Sequence, residues 1–205
     1  FNQDGNDANN SLAFSITPQE ITYQITHLGN AVSTDNSITL SNSDLSISQN
    51  QLENSLNLDP GILDTSLNNS KIARDATEGS AFNVSWNANI GDKISFDYSF
   101  NSDDSAPFAD FSFYTINDEA YSLVAVGEAG VGQGTTTGKF SHTLSEDDIS
   151  NSAGQAFNVA VGVVDVLDTW VDTSLKIKEL KIERDILDFK SYDILDKHQY
   201  FTDIK

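Results

Sequence analysis

Two neighbouring runs in the middle of the chain alternate apolar and polar residues with a period of two. Phe82, Val84, Trp86, Ala88 and Ile90 make the first, and Ile94, Phe96, Tyr98 and Phe100 the second, with Gly91-Asp92 between them. A strand turns successive side chains to opposite faces, so this rhythm predicts two half-buried β-strands joined by a tight turn. A helix would spread the same rings around its whole circumference. Shorter runs at Leu12–Ile16, Ile21–Thr26, Ser37–Leu40, Asp110–Ile116, Tyr121–Val126 and Lys139–Leu144 read as further strands. Phe157–Val166 is almost continuously apolar, which predicts a strand buried on both faces. Val171–Ile182 alternates and then slips phase before Leu180 and Ile182, as a β-bulge would make it do. One short helix is expected over Gln49–Leu56, where Leu52 and Leu56 recur at i, i+4, followed by a turn at Asp59-Pro60-Gly61. Asn68 to Asp75 reads as loop, as does the glycine-rich stretch from Gly127 to Gly138. Nine or ten short strands separated by Gly, Asn and Asp turns predict an all-β, jelly-roll-like antiparallel β-sandwich with one short helix and a C-terminal extension.

The side chains suit that fold. Twelve Phe, six Tyr and two Trp supply large rings for a pleated, half-buried surface. Residues 1–11 are Asn/Asp-rich and are expected to be extended or flexible. The sandwich is expected over 12–183. Residues 184–205 then form an extension, in which Phe189, Tyr192, Ile194 and Leu195 are the candidates for docking on a neighbouring subunit, for example by adding a strand to a sheet edge.

Cysteine is absent, so disulfides, thiolate metal sites and cysteine nucleophiles are excluded. The chain starts at Phe1 and is read as a processed product or fragment, with any signal peptide outside it. No apolar run approaches the ~20 residues that span a bilayer as a helix. The net charge is −20, and it is uneven: residues 1–175 carry 24 acidic and 4 basic side chains, residues 176–205 seven of each. The acidic part is expected to repel nucleic acid and anionic lipid, leaving cations, cationic partners and neutral sugars as ligands.

Several motifs resemble a secreted bacterial family, frequent in cyanobacteria. Gln51 to Asp64 followed by Ala76-Thr77-Glu78-Gly79-Ser80-Ala81 matches a pattern "LExxLxLxPGxLD … ATEGSA". Gly91 to Tyr98 is similar to "GDxLSFDW", Ala109 to Phe113 to "NDFAF", and Gly162 to Leu175 to "GVVDVGDTxVDSxL", with Leu167 where the family prefers Gly. The resemblance runs in one order from about residue 50 to 182. It implies an extracellular β-sandwich of surface or matrix proteins, of the PEP-CTERM type or within adhesin-like chains. Exopolysaccharide or adhesion is the associated role, and no enzymatic activity is established for the family.

Candidate chemistry lies in the acids. Glu78, Asp97, Asp103, Asp104, Asp110, Asp165, Asp168 and Asp172 stand at strand ends, turns and one mid-strand position. Calcium takes six to eight hard oxygens from carboxylates, carbonyls and water. Glu78, Asp110, Asp165, Asp168 and Asp172 are the candidate ligands, and the resemblance singles out Glu78, Asp110 and Asp172. The competing reading is that these acids cap turns and solvate the surface. Asn2 to Asp7 echoes the front of a calcium loop but lacks its first ligand and its closing Glu. The glycines at 127–138 are not followed by Lys-Ser/Thr, so they are not a phosphate loop. No catalytic residue is assigned: His27, His142 and His198 share no motif, and no G-x-S-x-G occurs. Trp86, Trp170, Tyr114 and Tyr121 are rings that sugars could stack on; Trp86 falls in the core set and Trp170 in an acidic turn, so Trp170 is the ligand-binding candidate. Two functions follow as expectations. One is a non-enzymatic, secreted structural or adhesive subunit stabilised by calcium, whose partners are copies of itself or other matrix proteins. The other is a carbohydrate-binding module for exopolysaccharide.

Overall fold

The computed structural model describes residues 14–64, 67, 75–128, 131–150 and 156–189, with side chains at 14–17 and 186–189 left aside. Twelve strands alternate with two short helices. The first strands are β1 (Phe14–Glu20), β2 (Gln24–Leu28), β3 (Asn30–Thr34), β4 (Ser37–Ser41) and β5 (Ile47–Ser48). Helix α1 (Gln49–Leu56) and a 3-10 turn (Ile62–Asp64) lead into β6 (Ala76–Trp86) and β7 (Lys93–Ser102). Then come β8 (Phe111–Ile116), β9 (Glu119–Ala125), β10 (Gly134–Thr143), α2 (Glu146–Ser150), β11 (Phe157–Val166) and β12 (Ser174–Phe189).

The strands form two antiparallel sheets. One has the order β10-β7-β12-β4-β3, with β1 also on β12; the other has β2-β6-β11-β8-β9, with β5 on β6. Without the added edge strands, the orders are β4-β12-β7-β10 and β6-β11-β8-β9, which is the eight-strand double Greek key of a jelly roll. The expected sandwich class therefore holds. Glu20–Arg184 is one compact unit, to which the described residues 14–19 and 185–189 do not belong. The candidate docking residues Tyr192, Ile194 and Leu195 lie outside the described residues, as does the Asn2 to Asp7 motif. Phe189 is the last residue of β12, with its side chain not described.

The main core lies between the sheets, where Phe82, Phe96, Phe100, Phe157, Leu40 and Ile177 are buried. A second core lies on the outer face of the β6/β11/β8 sheet. There Leu52 and Leu56 of α1, with Leu58, Leu63 and Leu67, cover Phe111, Phe113, Ala160 and Val164. Each large apolar side chain so buried contributes roughly 1.5–3 kcal/mol. This double cover explains why β11 reads as an unbroken apolar run. Val159, Val161 and Val163 face one core, Ala160 and Val164 the other.

The α1 segment is held by one buried acid. Glu53 accepts from the backbone amides of Gly61 (2.9 Å) and Leu63 (3.0 Å), and Asp64 accepts from the Ala76 amide (2.9 Å). Helix α1 starts with a capping box between Ser48 and Gln51. Close packing also fixes Gly79 in β6, where a Cβ would stand 2.4 Å from the Val163 carbonyl oxygen.

Three local expectations need correction. The paired runs at 82–100 are not a hairpin: β6 ends at Trp86, β7 begins at Lys93, and the two belong to different sheets. Residues 87–92 arch from one sheet to the other, and Ile90, which seemed to continue the alternation, is 62% exposed. Period alone cannot tell a hairpin from an arch, because both present alternation on either side of a turn. Gly134 and Gly138 belong to β10 rather than to a loop. Finally, β12 starts at Ser174, not Val171; its expected bulge is present, with the register shifting between Lys178 and Lys181 and Glu179 at φ 52°.

The arch is pinned by an ion pair between buried Asp92 and half-buried Arg184. Asp92 accepts from Arg184 Nε (2.6 Å) and Nη2 (2.7 Å), from Trp86 Nε1 (3.1 Å) and from the Asn89 amide (2.9 Å). Burial works to raise the Asp92 pKa, but the Arg184 bonds, the Asn89 and Trp86 bonds and the guanidinium charge outweigh it and hold it below the usual range. A depressed carboxyl contributes stability that is full above its unfolded pKa of ~3.9 and is lost as pH falls through the folded value. Asp92→Asn should therefore cost about 3 kcal/mol at pH 7, with the gap to the parent protein closing as pH drops below about 4. Melting curves across pH 2–8 measure both; equal melting temperatures at pH 7 would contradict this role.

Candidate metal centre

Five strand ends meet at one end of the sandwich. Asn42 directly follows β4, Ser102 ends β7 with Asp104 two residues on, Asp110 precedes β8, Asp165 lies near the end of β11, and Thr173 precedes β12. All six side chains are buried. Asp104, Asp110 and Asp165 each offer a carboxylate oxygen, and the three oxygens lie within 4.8 Å of one another. At an effective dielectric of about 20, each ionised pair at that separation repels by roughly 3 kcal/mol.

The surrounding polar groups orient the acids without neutralising them. Asp110 Oδ2 accepts from Asn42 Nδ2 (2.9 Å), and Asp110 Oδ1 from the Val166 amide (3.0 Å). Asn42 is itself fixed by Thr173, whose amide donates to Asn42 Oδ1 (2.6 Å) and whose carbonyl accepts from the Asn42 amide (3.2 Å). Thr173 Oγ1 donates to Ser102 Oγ (2.8 Å), which also accepts from the Asp104 amide (3.2 Å). Two oxygens, Asp104 Oδ2 and Asp165 Oδ1, are buried with no hydrogen-bond partner. Buried polar atoms are rarely left so, and a cation is one of the groups that satisfies them.

The protonation equilibria register the same crowding. Burial first, then the charges of Asp165 and Asp104, push Asp110 up to about 8, against the lowering bonds from Thr173 and Asn42. Asp165 is pushed up to about 7 by burial and by the charges of Asp168 and Asp104, against lowering hydrogen bonds with Asp110 and the Val166 amide. Asp104 is raised as well, by burial and by the charges of Asp168 and Asp103, against a lowering hydrogen bond with Asp110. Three close carboxyls that resist ionising together, with two free oxygens among them, fit a hard divalent cation bound by oxygen ligands.

Of the five candidate ligands in the sequence, the structure brings Asp110 and Asp165 together and adds Asp104 as the third. Asp168 lies in the β11–β12 loop, near enough for its charge to act on Asp104 and Asp165. Glu78 stands in β6 opposite Ser48 of β5, half-buried and outside the group of three. Asp172 is exposed and also outside it. Asn42, Ser102 and Thr173 carried no sequence signal, because isolated Ser, Thr and Asn are common in turns.

The loop from Leu167 to Thr173 roofs this end. The hydroxyl of Thr77 donates to the carbonyls of Asp165 and Asp168 (3.3 Å each), and the Leu167 amide donates to the Asp75 carbonyl (3.0 Å). Trp170 stands on this loop, 90% exposed, with its amide donating to Asp168 Oδ1 (3.1 Å). Trp86 by contrast is a core ring packed edge-on against Phe157. Tyr114 and Tyr121 stack on each other at 5.1 Å, and Tyr114 also packs on Phe140 at 4.6 Å. His27 of β2 meets Ser33 of β3 between the edges of the two sheets, and His142 meets Asp148 of α2. Asp97 is paired with Lys139 on a strand face.

No protein-family model matches the chain, and neither does any curated protein. Among solved structures, the chain is similar to the enzymatically active domain of tailspike protein 4 of bacteriophage CBA120 (10% identity, 84% of this chain and 19% of that one, TM-score 0.28). It is also similar to a carbohydrate-binding module of the β-sandwich superfamily (9% identity, 86% of this chain and 59% of that one, TM-score 0.31). The chain thus spans less than two thirds of either. At those TM-scores neither likeness bears on function, and the jelly roll stands on this chain's own strand pairing.

Leu167 has φ 66° and is nearly half exposed, in the left-handed region that favours glycine. A side chain there costs about 1–2 kcal/mol, partly offset by the entropy glycine loses on folding. Leu167→Gly should raise stability by up to about 1 kcal/mol in chemical denaturation. A loss of stability would contradict the strained turn.

Proposed function

We propose that this chain is a non-enzymatic surface or matrix module, secreted and acting outside the cell, whose sandwich is locked by calcium bound at Asp104, Asp110 and Asp165. The single observation behind the calcium is the pair of unpartnered buried oxygens, Asp104 Oδ2 and Asp165 Oδ1, within a group of three close carboxylates. Calcium accepts such a set and completes its shell with carbonyls or water. The family resemblance supports the surface location, and attachment to copies of itself or to matrix proteins through the segment after Arg184 belongs to the same reading. Among the described residues no helix is long and apolar enough to cross a membrane.

The test is thermal. Added calcium should raise the melting temperature, by about 2.7 kcal/mol of stability at a hundredfold excess over Kd, and a chelator should reverse the rise. Asp165→Asn should abolish the calcium response. In chelator the same variant should melt above the parent, because one repelling charge has gone. A parent protein indifferent to both calcium and chelator would overturn the proposal.

A second reading, a carbohydrate-binding module, draws on Trp170. A flat ring this exposed, on a loop tied to the metal centre through Asp168, suits stacking on a sugar face. Calorimetry with exopolysaccharide fragments should then find binding that Trp170→Ala weakens by about tenfold or more; equal binding by both proteins would remove Trp170 from the reading.

A further inference from the structure

The overall charge of −20 hides a segregation that only the register reveals. The described lysines are Lys93, Lys139, Lys176, Lys178 and Lys181, and all five stand on β7, β10 and β12 of one sheet. All five also point outward. Along β7 the buried set is Ile94, Phe96 and Phe100, so Lys93 faces solvent; along β12 it is Leu175, Ile177 and Ile182, so Lys176, Lys178 and Lys181 do. Lys139 alternates with half-buried Gly138 and Phe140 and is 79% exposed at its side chain. The outer face of the other sheet is covered by α1 and its neighbours; among the described residues no buried apolar cluster lies on this one.

The register sets the pattern. Lys139, Asp97 and Lys178 form one transverse row across three strands, so the two lysines stand roughly 10 Å apart with a carboxylate between them. Asp97 is engaged by Lys139 through both oxygens (2.7 and 2.6 Å). The next row holds Thr137, Ser99, Lys176 and Thr39, and the one after it Thr135, Asn101, Ser174 and Ser41. A depression of about 310 Å³ lies among Asp97, Ser99, Thr137, Lys139, Lys176 and Lys178. Among the described side chains, β7, β10 and β12 carry five lysines and Arg184 against Asp97, Glu179, Glu183 and Asp185, a reversal of sign within an acidic body.

From this charge complementarity we infer that the outer face of the β10-β7-β12-β4-β3 sheet binds a carboxylated polysaccharide. The polymer's sparse carboxylates sit between Lys139, Lys176 and Lys178, while its hydroxyls meet the Ser, Thr and Asn rows. Spaced cations among neutral donors and acceptors match a hydroxyl-rich polymer of low charge density. A nucleic acid is poorly served: its phosphates are dense, Asp97 stands in their path, and the acidic body repels them. The inference rests on the surface-module reading for where such a polymer is met, and it does not require calcium.

The experiment uses the full chain in chelator, with lightly carboxymethylated dextran as the probe and unmodified dextran as its neutral control, by affinity electrophoresis and calorimetry. The carboxymethylated polymer should bind and plain dextran should not. Raising salt from about 50 to about 500 mM should weaken binding, since exposed charges are screened. The triple substitution K139Q/K176Q/K178Q should lose about tenfold or more in affinity, and K139R/K176R/K178R should retain binding. No binding by the parent at low salt would overturn the inference, as would salt-independent binding, which needs no variant to detect. Duplex DNA bound as tightly as the polysaccharide would overturn it by making the face a general polyanion site. A dimer that the triple glutamine variant dissolves, with no polymer bound, would give the face to a second copy instead. Calcium-dependent melting is read separately, so either idea can fail alone.

Discussion

Three buried carboxylates within 4.8 Å of one another are the constraint around which this end of the sandwich is arranged. Isolated, they repel by several kcal/mol and resist ionising together. Yet the chain orients them with care: Asn42, Thr173, Ser102 and the Val166 amide hold Asp110 and the Asp104 backbone in place from four separate strand ends. Polar groups converging on three acids without neutralising them make a receptacle, not a stabilising ion pair. On the proposed function, a bound divalent cation would turn this local cost into a tie between β7, β8 and β11, next to the loop that carries Trp170.

The molecule divides its charge between two surfaces and one interior. Acids on the loops of the carboxylate end, among them Asp103, Asp168 and Asp172, draw cations toward the three carboxylates. The described lysines collect on the outward side of a single sheet. Net charge alone suggests a chain that avoids anionic partners; the register of β7, β10 and β12 places a locally cationic, hydroxyl-rich face within it.

The fold was legible because its signals are local and periodic. Helix α1 follows from Leu52 and Leu56, β11 from its apolar run, and the bulge in β12 from the phase slip before Leu180. The arch at 87–92 was not, since whether Lys93 starts the neighbouring strand or crosses to the opposite sheet depends on the global Greek-key path. Asp110 and Asp165 were visible as candidate ligands; Asp104 stood in the wider set of acids but nothing local distinguished it from Asp103. Glu78 and Asp172 come from the same motifs, but the strands carry them elsewhere. Several motif residues have structural work of their own: Glu53 and Asp64 hold the α1 segment, Gly79 permits close strand packing, and Asp92 pins the arch.

The most direct measurement is metal content. Protein desalted from calcium-containing buffer should carry one calcium per chain by elemental analysis, and the double variant Asp104→Asn/Asp165→Asn, still folded by circular dichroism, should carry none. A folded parent protein that retains no divalent ion, or a double variant that retains as much as the parent, would contradict the account.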